Sequence, residues 1–199
     1  METANGPLVV KVGGSLFPEA GRILGELGES RRPLLVVPGG GPFARTIRSL
    51  QIPDDPAHWM AILAMDLFGW YLAAGGLPVT HELAVPRGVG ILLPYRVLRE
   101  RDPLPHSWDV TSDTIAAWVA GELGLGLLVL KSVDGITRDG ALVSRITGAF
   151  PCAEVDPCFL PFALSHGVRT AVLNGRAEGR VREFLAGRAV PGTVIEPRL

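Results

Sequence analysis

Two glycine-rich turns, each directly after an apolar run, are the parts of this sequence best suited to chemistry. The first run leads into Lys11-Val12-Gly13-Gly14-Ser15, and the second leads into Pro38-Gly39-Gly40-Gly41. Glycine lets backbone N–H groups approach an anion because no Cβ stands in the way, and Lys11 adds a full positive charge. Such turns can also serve only to reverse the chain. Two of them beside a lysine favour binding of two phosphate-like groups, and therefore phosphoryl transfer.

A third motif, Thr111-Ser112-Asp113-Thr114, opens a predicted helix, and either Ser112 or Asp113 can cap it. The helix leads to an apolar run that ends in Lys131-Ser132-Val133-Asp134-Gly135. Asp113 can be a helix cap, a catalytic carboxylate, or both at once. The spacing of the glycines matches neither the Walker loop nor the Rossmann fingerprint.

Apolar runs and helical patterns alternate along the chain, which predicts an α/β protein. Its expected fold is a three-layer αβα sandwich around a mainly parallel central sheet. Strands are predicted at 8–11, 34–37, 77–80, 90–93, 127–130, 141–146, 169–173 and 193–195. Helices are predicted at 18–27, 43–50, 58–74, 113–123, 159–165 and 178–186, with an irregular segment at 94–108.

In such sheets the glycine turns, Ser132–Gly135 and Asn174-Gly175 all follow strands. Ligands of open α/β sheets bind at the carboxyl ends of the strands, so this edge is the predicted active site. The 199 residues are expected to form one domain, with an acceptor-side lobe at 1–110 and a nucleotide-side lobe at 111–199.

Composition excludes several function classes. The 19 basic and 20 acidic residues give a net charge of −1, which argues against a nucleic-acid or anionic-membrane partner. No apolar run reaches the roughly 18 residues of a membrane span, and residues 1–7 do not resemble a secretory signal, so a cytoplasmic location is expected. Cys152 and Cys158 are interpreted as ordinary residues, because a disulfide is rare in the cytosol and further metal ligands are lacking at suitable spacing.

The three motifs, in this order, resemble those of the amino acid kinase superfamily. The resemblance implies that Lys11 contacts the transferring phosphoryl group and that Asp113 organises the lysine and the reacting groups. It also implies ATP as phosphoryl donor, with Mg²⁺ held mainly by the ATP phosphates and no dedicated metal site. The ATP-binding residues implied are Lys11, Gly13, Gly14, Ser15, Lys131, Ser132, Asp134 and Gly135.

The chain also departs from the family pattern. Many members carry a second catalytic lysine after the nucleotide motif, whereas the corresponding segment here, 151–159, contains none. Lys11 and Lys131 are the two lysines of the whole chain, so Lys131 or an arginine is expected to compensate. Pro42-Phe43-Ala44 stands where isopentenyl phosphate kinases carry a histidine, which argues against that substrate.

Within the superfamily, the short length, the stretch 39–44 and the stretch 58–66 look most like the kinases of aminomethylfuran-methyl phosphate in methanofuran-type cofactor biosynthesis. That reaction converts a phosphomonoester into a diphosphate. A carboxylate kinase, an isopentenyl phosphate-type kinase and a non-catalytic nucleotide-binding module are the alternatives. The apolar helix 58–74 predicts a homodimer or a higher homo-oligomer.

The small phosphate substrate needs cations and, for its amine, a carboxylate. Arg45 and Arg48 are the expected phosphate ligands because arginine binds phosphate in a bidentate manner, although both could also decorate a solvated helix face. Asp66 is the first choice for the ammonium group and Asp109 the second. The predicted acceptor-binding residues are Gly39, Gly40, Gly41, Arg45, Arg48, His58, Asp66, Asp109 and Thr111.

Overall fold

An eight-stranded sheet forms the centre of the protein in a computed structural model that describes residues 6–197. The strand bounds are β1 Leu8–Val12, β2 Leu34–Pro38, β3 Val79–Thr80, β4 Val89–Leu92, β5 Gly126–Lys131, β8 Arg145–Ile146, β9 Thr170–Asn174 and β10 Thr193–Ile195. These strands lie in the order β3-β4-β2-β1-β5-β9-β10-β8; β10 pairs antiparallel with β9 and parallel with β8, and all other neighbours are parallel. A separate hairpin pairs β6, Thr137–Arg138, with β7, Ala141–Leu142.

Helices cover both faces of the sheet, so the predicted αβα fold class is confirmed. Successive residues of a strand point to opposite faces. Val9 accordingly packs in one apolar cluster and Val10 in another. The helices are α1 Ala20–Gly28, α2 Gly41–Ser49, α3 Asp54–Ala73, α4 Tyr95–Arg101, α5 Ser112–Leu123, α6 Phe159–Ser165 and α7 Arg180–Leu185, with a 3₁₀ helix at Gly14–Glu19. The Val9 cluster includes α5 and α6 residues, and the Val10 cluster includes α1 and α7 residues.

The chain direction across the sheet reverses beside β1. From β1 the chain moves outward to β2 and on to the edge strand β3, comes back to β4 between those two, and then places β5 on the other side of β1. Both neighbours are parallel to β1, with Val12 opposite Pro38 on one side and Leu130 on the other. The carboxyl ends of these strands therefore meet at one edge, where open α/β sheets bind ligands.

Three predicted elements differ from the structure. The segment predicted as irregular contains α4. This helix has only seven residues and several of them are arginines, so its apolar residues do not form a recognisable helical pattern. Helix α3 begins at Asp54, four residues before the predicted start, because proline is tolerated in a first turn and Pro56 lies there. The predicted strand 141–146 is split between β7 in the hairpin and β8 in the main sheet.

No helix within residues 6–197 is both long and apolar enough to span a membrane. The prediction that residues 1–7 lack a secretory signal falls mostly on residues 1–5, which lie outside the described part of the chain.

Candidate active site

One carboxylate held between two ammonium groups forms the centre of the site. Lys11 Nζ lies 2.5 Å from Asp113 Oδ1, and Lys131 Nζ lies 2.7 Å from Asp113 Oδ2. The side chains of Lys11 and Asp113 are only 4% and 3% exposed, whereas that of Lys131 is 18% exposed. The three groups together carry one net positive charge, which suits them to an anionic ligand.

The two lysines keep this carboxylate ionised. Burial by itself would raise the pKa of Asp113, but the charges of Lys11 and Lys131 outweigh it and lower the pKa to about 2. Burial lowers the pKa of the Lys11 ammonium, and Asp113 opposes that shift. Asp113 is therefore an anion throughout the physiological range.

Three elements bring these groups together from distant parts of the sequence. Lys11 lies on the central strand β1, Lys131 is the last residue of its neighbour β5, and Asp113 lies in the first turn of α5. The backbone N–H of Gly13 donates to the carbonyl oxygen of Leu130 at 3.1 Å, which joins the ends of β1 and β5. A Cβ on Gly13 would lie 2.8 Å from that oxygen, so glycine is required for the contact.

The two glycine-rich turns pack against each other. A Cβ on Gly14 would lie 2.5 Å from the backbone nitrogen of Gly41, and one on Gly39 would lie 2.7 Å from that of Gly14. Gly41 has a φ of +58°, a conformation that favours glycine, and it begins α2. These glycines thus allow two backbone segments and a helix N-terminus to meet beside Lys11.

A cavity of about 710 Å³ opens over this centre. It has five basic side chains and two acidic ones in its wall, together with the apolar side chains of Phe17, Ile62, Met65, Trp108 and Ile115. Of the predicted site residues, it is lined by Lys11, Gly13, Gly14, Ser15, Gly40, Gly41, Arg45, Arg48, His58, Thr111, Asp113 and Lys131. The predicted residues that do not line it are Gly39, Asp66, Asp109, Ser132, Asp134 and Gly135.

Both carboxylates predicted for an ammonium group lie elsewhere. Asp66 accepts a hydrogen bond from the backbone N–H of Tyr95 at 3.0 Å and so caps α4, and burial raises its pKa. Asp109 is exposed, and its backbone carbonyl accepts a bond from the N–H of Cys158. Neither Asp66 nor Asp109, the two residues predicted to bind the ammonium group, lines the cavity; the carboxylates that line it are those of Asp54 and Asp113.

The predicted nucleotide residue Asp134 also lies outside this cavity. It accepts a hydrogen bond from Asn174 Nδ2 at 3.0 Å and pairs with Arg180, and these contacts lower its pKa. Gly135 packs so closely on Thr193 that a Cβ would lie 2.6 Å from the hydroxyl oxygen. Both residues therefore fix the loop that follows β5.

Sequence reasoning missed several residues of the site. Asp54 and Arg176 line the cavity but have no local signal: Asp54 only precedes a helical pattern, and Arg176 only follows the Asn174-Gly175 turn. Asp156, in the segment without lysine, accepts the bonds at the start of α5 that the sequence assigns to a cap by Ser112 or Asp113. Its carboxylate accepts bonds from the N–H and hydroxyl groups of both Thr111 and Thr114. Such a long-range cap leaves no local pattern.

Aromatic groups form one side of the cavity. The guanidinium of Arg48 lies 4.4 Å from the centre of the Trp108 ring, a cation–π contact that orients Arg48. His58 stacks on His106 with ring centres 4.1 Å apart, and His106 is bonded to Asp55 and Asp102 at 2.7 and 2.8 Å. Burial, and then the charge of His106, lower the pKa of His58 to about 4, so His58 presents a neutral imidazole to the cavity.

Comparison with known proteins places the fold and the motifs in one family. The amino acid kinase family profile matches residues 6–148, so the chain belongs to the amino acid kinase family. A [5-(aminomethyl)furan-3-yl]methyl phosphate kinase from Methanocaldococcus jannaschii is 29% identical over 201 residues, which span 90% of this chain and 93% of the relative. The predicted superfamily and branch are both confirmed, as is the enzyme class, a phosphotransferase.

Solved structures of other kinases have the same fold. UMP kinase from Ureaplasma parvum superimposes with a TM-score of 0.69 at 16% identity, over 96% of this chain and 99% of that one. Uridylate kinase from Archaeoglobus fulgidus gives 0.66 at 19% identity, over 94% and 99%. An isopentenyl phosphate kinase gives 0.62 at 18% identity, over 95% and 100%. At these identities the likeness concerns the fold alone.

Proposed function

We propose that this protein transfers the terminal phosphoryl group of ATP to a phosphomonoester and so forms a diphosphate. The proposed acceptor is [5-(aminomethyl)furan-3-yl]methyl phosphate, the compound in the name of the relative from Methanocaldococcus jannaschii. The observation that carries the proposal is the excess of basic side chains around the cavity, Lys11, Arg45, Arg48, Lys131 and Arg176 against Asp54 and Asp113. Two phosphate-bearing substrates need such an excess before they can approach each other.

In the proposed reaction an acceptor phosphate oxygen attacks the terminal phosphorus of ATP. A new P–O bond forms, the bond to the ADP oxygen breaks, and ADP leaves with that electron pair. Lys11 and Lys131 neutralise the charge on the oxygens of the phosphoryl group in flight, and Asp113 fixes both ammonium groups in place. Lys131 thus supplies the second cation that the segment 151–159 lacks.

The described residues fit ATP. Lys11, Gly13, Gly14, Ser15 and Lys131 all line the cavity, and the close approach of Gly14 to Gly41 leaves backbone rather than side chains at that point. The loop of Ser132, Asp134 and Gly135 would lie beyond the phosphates, toward the nucleoside. Mg²⁺ would neutralise phosphate charge when bound. Both oxygens of Asp113 are paired with lysines, so the main ligands of the Mg²⁺ ion would be phosphate oxygens.

The acceptor would occupy the part of the cavity between α2, α3 and the segment before α5. Arg45 and Arg48 would hold its phosphate beside Gly40, Gly41 and Thr111, and the neutral ring of His58 would pack on the furan. Asp54 begins α3 one helical turn before His58 and would accept the ammonium group. This assignment replaces Asp66, whose carboxylate is used by the backbone of α4.

We also propose that α3 joins two copies of the chain. Leu63, Leu67, Trp70 and Tyr71 are 42%, 54%, 56% and 48% exposed, and their spacing places them along one side of the helix. A homodimer would bury this apolar stripe against its own symmetry mate.

An acceptor screen tests the proposed activity. The wild-type chain is given ATP, Mg²⁺ and one acceptor at a time: the aminomethylfuran phosphate, isopentenyl phosphate, UMP, glutamate or aspartate. Phosphorus NMR would show the two doublets of a diphosphate from the furan phosphate, with a kcat/KM well above that of the other acceptors. Preferred turnover of an amino acid would establish a carboxylate kinase instead, and no turnover with any acceptor would favour a regulatory nucleotide-binding module.

A further inference from the structure

A single carboxylate from the segment after β8 holds the first turn of α5. Asp156 Oδ2 accepts bonds from Thr111 N at 3.0 Å, Thr111 Oγ1 at 2.8 Å and Thr114 N at 3.0 Å. Asp156 Oδ1 accepts the hydroxyl of Thr114 at 2.5 Å. Asp156 is 8% exposed and Thr114 is 1% exposed, so the two bonds between them form away from water, whereas the two bonds to Thr111 lie at the cavity.

This arrangement takes the place of a local helix cap. The first N–H groups of a helix have no partner within the helix, and usually the side chain at the N-cap accepts from one of them. In α5 the N-cap residue Thr111 makes no such bond and instead donates its own hydroxyl to Asp156. The position of the first turn is therefore set by a residue 42 positions away from Thr114.

The two threonines flank Asp113. Because Thr111 and Thr114 are both fixed by Asp156, the backbone between them is held at both ends, and the Asp113 carboxylate projects from that held segment. Its two oxygens must meet two lysines from different strands at 2.5 and 2.7 Å. A displacement of the turn by about 1 Å would break this geometry and slow a reaction that depends on positioning.

We infer that Asp156 is a positioning residue for phosphoryl transfer, which acts by holding the first turn of α5 so that Asp113 bridges Lys11 and Lys131. The inference rests on the proposed phosphoryl transfer at these three groups, but not on the identity of the acceptor. It also gives a function to the segment 151–159, which has no lysine.

Two substitutions at this position separate positioning from general stability. Asp156→Ala removes all four bonds, and we expect kcat to fall about 100-fold while KM for ATP changes less than about threefold, since the groups proposed to bind ATP remain. Asp156→Asn retains one carboxamide oxygen for the three bonds to Oδ2, and its NH₂ can donate to the Thr114 hydroxyl. We expect this variant to recover kcat to within about tenfold of wild type.

Glu26→Ala is the matched control. Glu26 is also buried, and it caps α7 over a long range by accepting from the N–H groups of Gly179 and Arg182, each at 3.2 Å. It does not line the cavity. We expect this variant to lower the melting temperature but to leave kcat unchanged where it is folded.

The outcomes are distinct. Wild-type kcat in folded Asp156→Ala, or an equal loss in Asp156→Ala and Glu26→Ala, would overturn the inference. If Asp156→Ala does not fold, Thr114→Val removes the hydroxyl bond alone and should still lower kcat severalfold without a change in KM; an unchanged kcat would contradict the inference.

A crystal structure gives a readout that needs no activity, because Asp113 should leave bonding distance of Lys131 in the alanine variant. Failure of the wild type in the acceptor screen would instead count against the proposed function.

Discussion

Lys131 Nζ lies 2.7 Å from Asp113 Oδ2, on the carboxylate oxygen that Lys11 leaves unoccupied. The two lysines of the chain thus meet at one carboxylate, although 120 positions separate them in sequence (131 − 11). The two ammonium groups and the carboxylate together carry one net positive charge. An incoming phosphoryl group would find that charge already fixed in position, without reorganisation of solvent.

Removal of the more exposed cation should affect catalysis more than binding. We predict that Lys131→Met lowers kcat about 10²- to 10³-fold, the range found for loss of one group that stabilises transition-state charge. Lys131→Arg keeps the charge and should lie between this variant and wild type. Steady-state kinetics with ATP and acceptor varied in turn would check this. If kcat of Lys131→Met stays within threefold of wild type, a change of about 0.7 kcal/mol or less in the activation free energy, Lys131 takes no part in the reaction.

The buried charges should respond unequally to removal of one partner. Lys11→Met leaves Asp113 paired with Lys131, whereas Asp113→Asn leaves two ammonium groups without an anion. We predict that Asp113→Asn lowers the free energy of unfolding by about 3 kcal/mol, and that Lys11→Met costs less than about 1 kcal/mol because it also removes a buried charge. Urea denaturation measures both. Turnover should be nearly lost in each variant, and equal stabilities would show that the two lysines do not share the carboxylate.

The residues of this centre were predictable where the signal is local. An apolar run that ends in Lys11 and two glycines indicates a buried strand and a turn, whatever the rest of the chain does. The meeting of Lys11, Lys131 and Asp113 at one sheet edge follows from the order of strands and helices. Pattern and topology therefore predict the edge at which these groups meet, whereas the resemblance to the amino acid kinase superfamily is what implied that Asp113 acts together with Lys11.

The helix caps were not predictable, because they join positions far apart in sequence. Asp156 holds α5, Glu26 holds α7 and Asp66 holds α4. Asp66 was conspicuous in the sequence as a carboxylate inside an apolar helix, and for that reason it was predicted as a ligand. The structure gives it a backbone partner instead, whereas Asp54 looked like an ordinary first-turn acid and lines the cavity.

The stacked histidine pair should give folding stability a maximum near pH 6.5. The folded-state pKa of His58 is lowered to about 4, so the unfolded chain takes up a proton first as pH falls from 6.5 toward 4, and stability is lost. The pKa of His106 is raised by its bonds to Asp102 and Asp55. Its contribution to folding stability is therefore fully present below pH 6.5 and is lost as pH rises through its folded-state pKa. Melting temperatures measured across this pH range check both the loss on the acid side and the loss on the alkaline side.

Single substitutions should remove one arm each. His58→Phe keeps a ring for stacking but does not titrate, so the loss of stability between about pH 4 and 6.5 should become smaller. His106→Gln should flatten the alkaline arm. Proton NMR titration of the wild type offers a direct check, and a His58 pKa close to 6.5 would contradict the interpretation.

The exposed stripe on α3 should control oligomeric state. We predict a wild-type dimer at micromolar concentration, and monomers for the double variant Leu67→Glu/Trp70→Glu, since two buried charges oppose an apolar interface. Light scattering after size exclusion measures both. Val85→Glu is the control, because Val85 is 43% exposed and lies outside α3. A monomeric wild type, or dissociation of the control, would contradict the assignment.

Asp54 should select for acceptors that carry an amine. Because a hydrogen bond to a charged group contributes about 1.5–3 kcal/mol, we predict that Asp54→Asn raises KM for the aminomethylfuran phosphate about 10- to 100-fold. KM for the analogue with a methyl group in place of the aminomethyl group, and KM for ATP, should stay near their wild-type values.

Asp55→Asn is the matched control: Asp55 lies in the same first turn and also carries a charge favourable to the helix N-terminus, but it bonds to His106 and does not line the cavity. Equal losses in the two variants would indicate an effect through the helix. A loss in Asp54→Asn that is the same with and without the amine would exclude Asp54 as the ammonium ligand, and the proposed diphosphate-forming activity would stand unaffected.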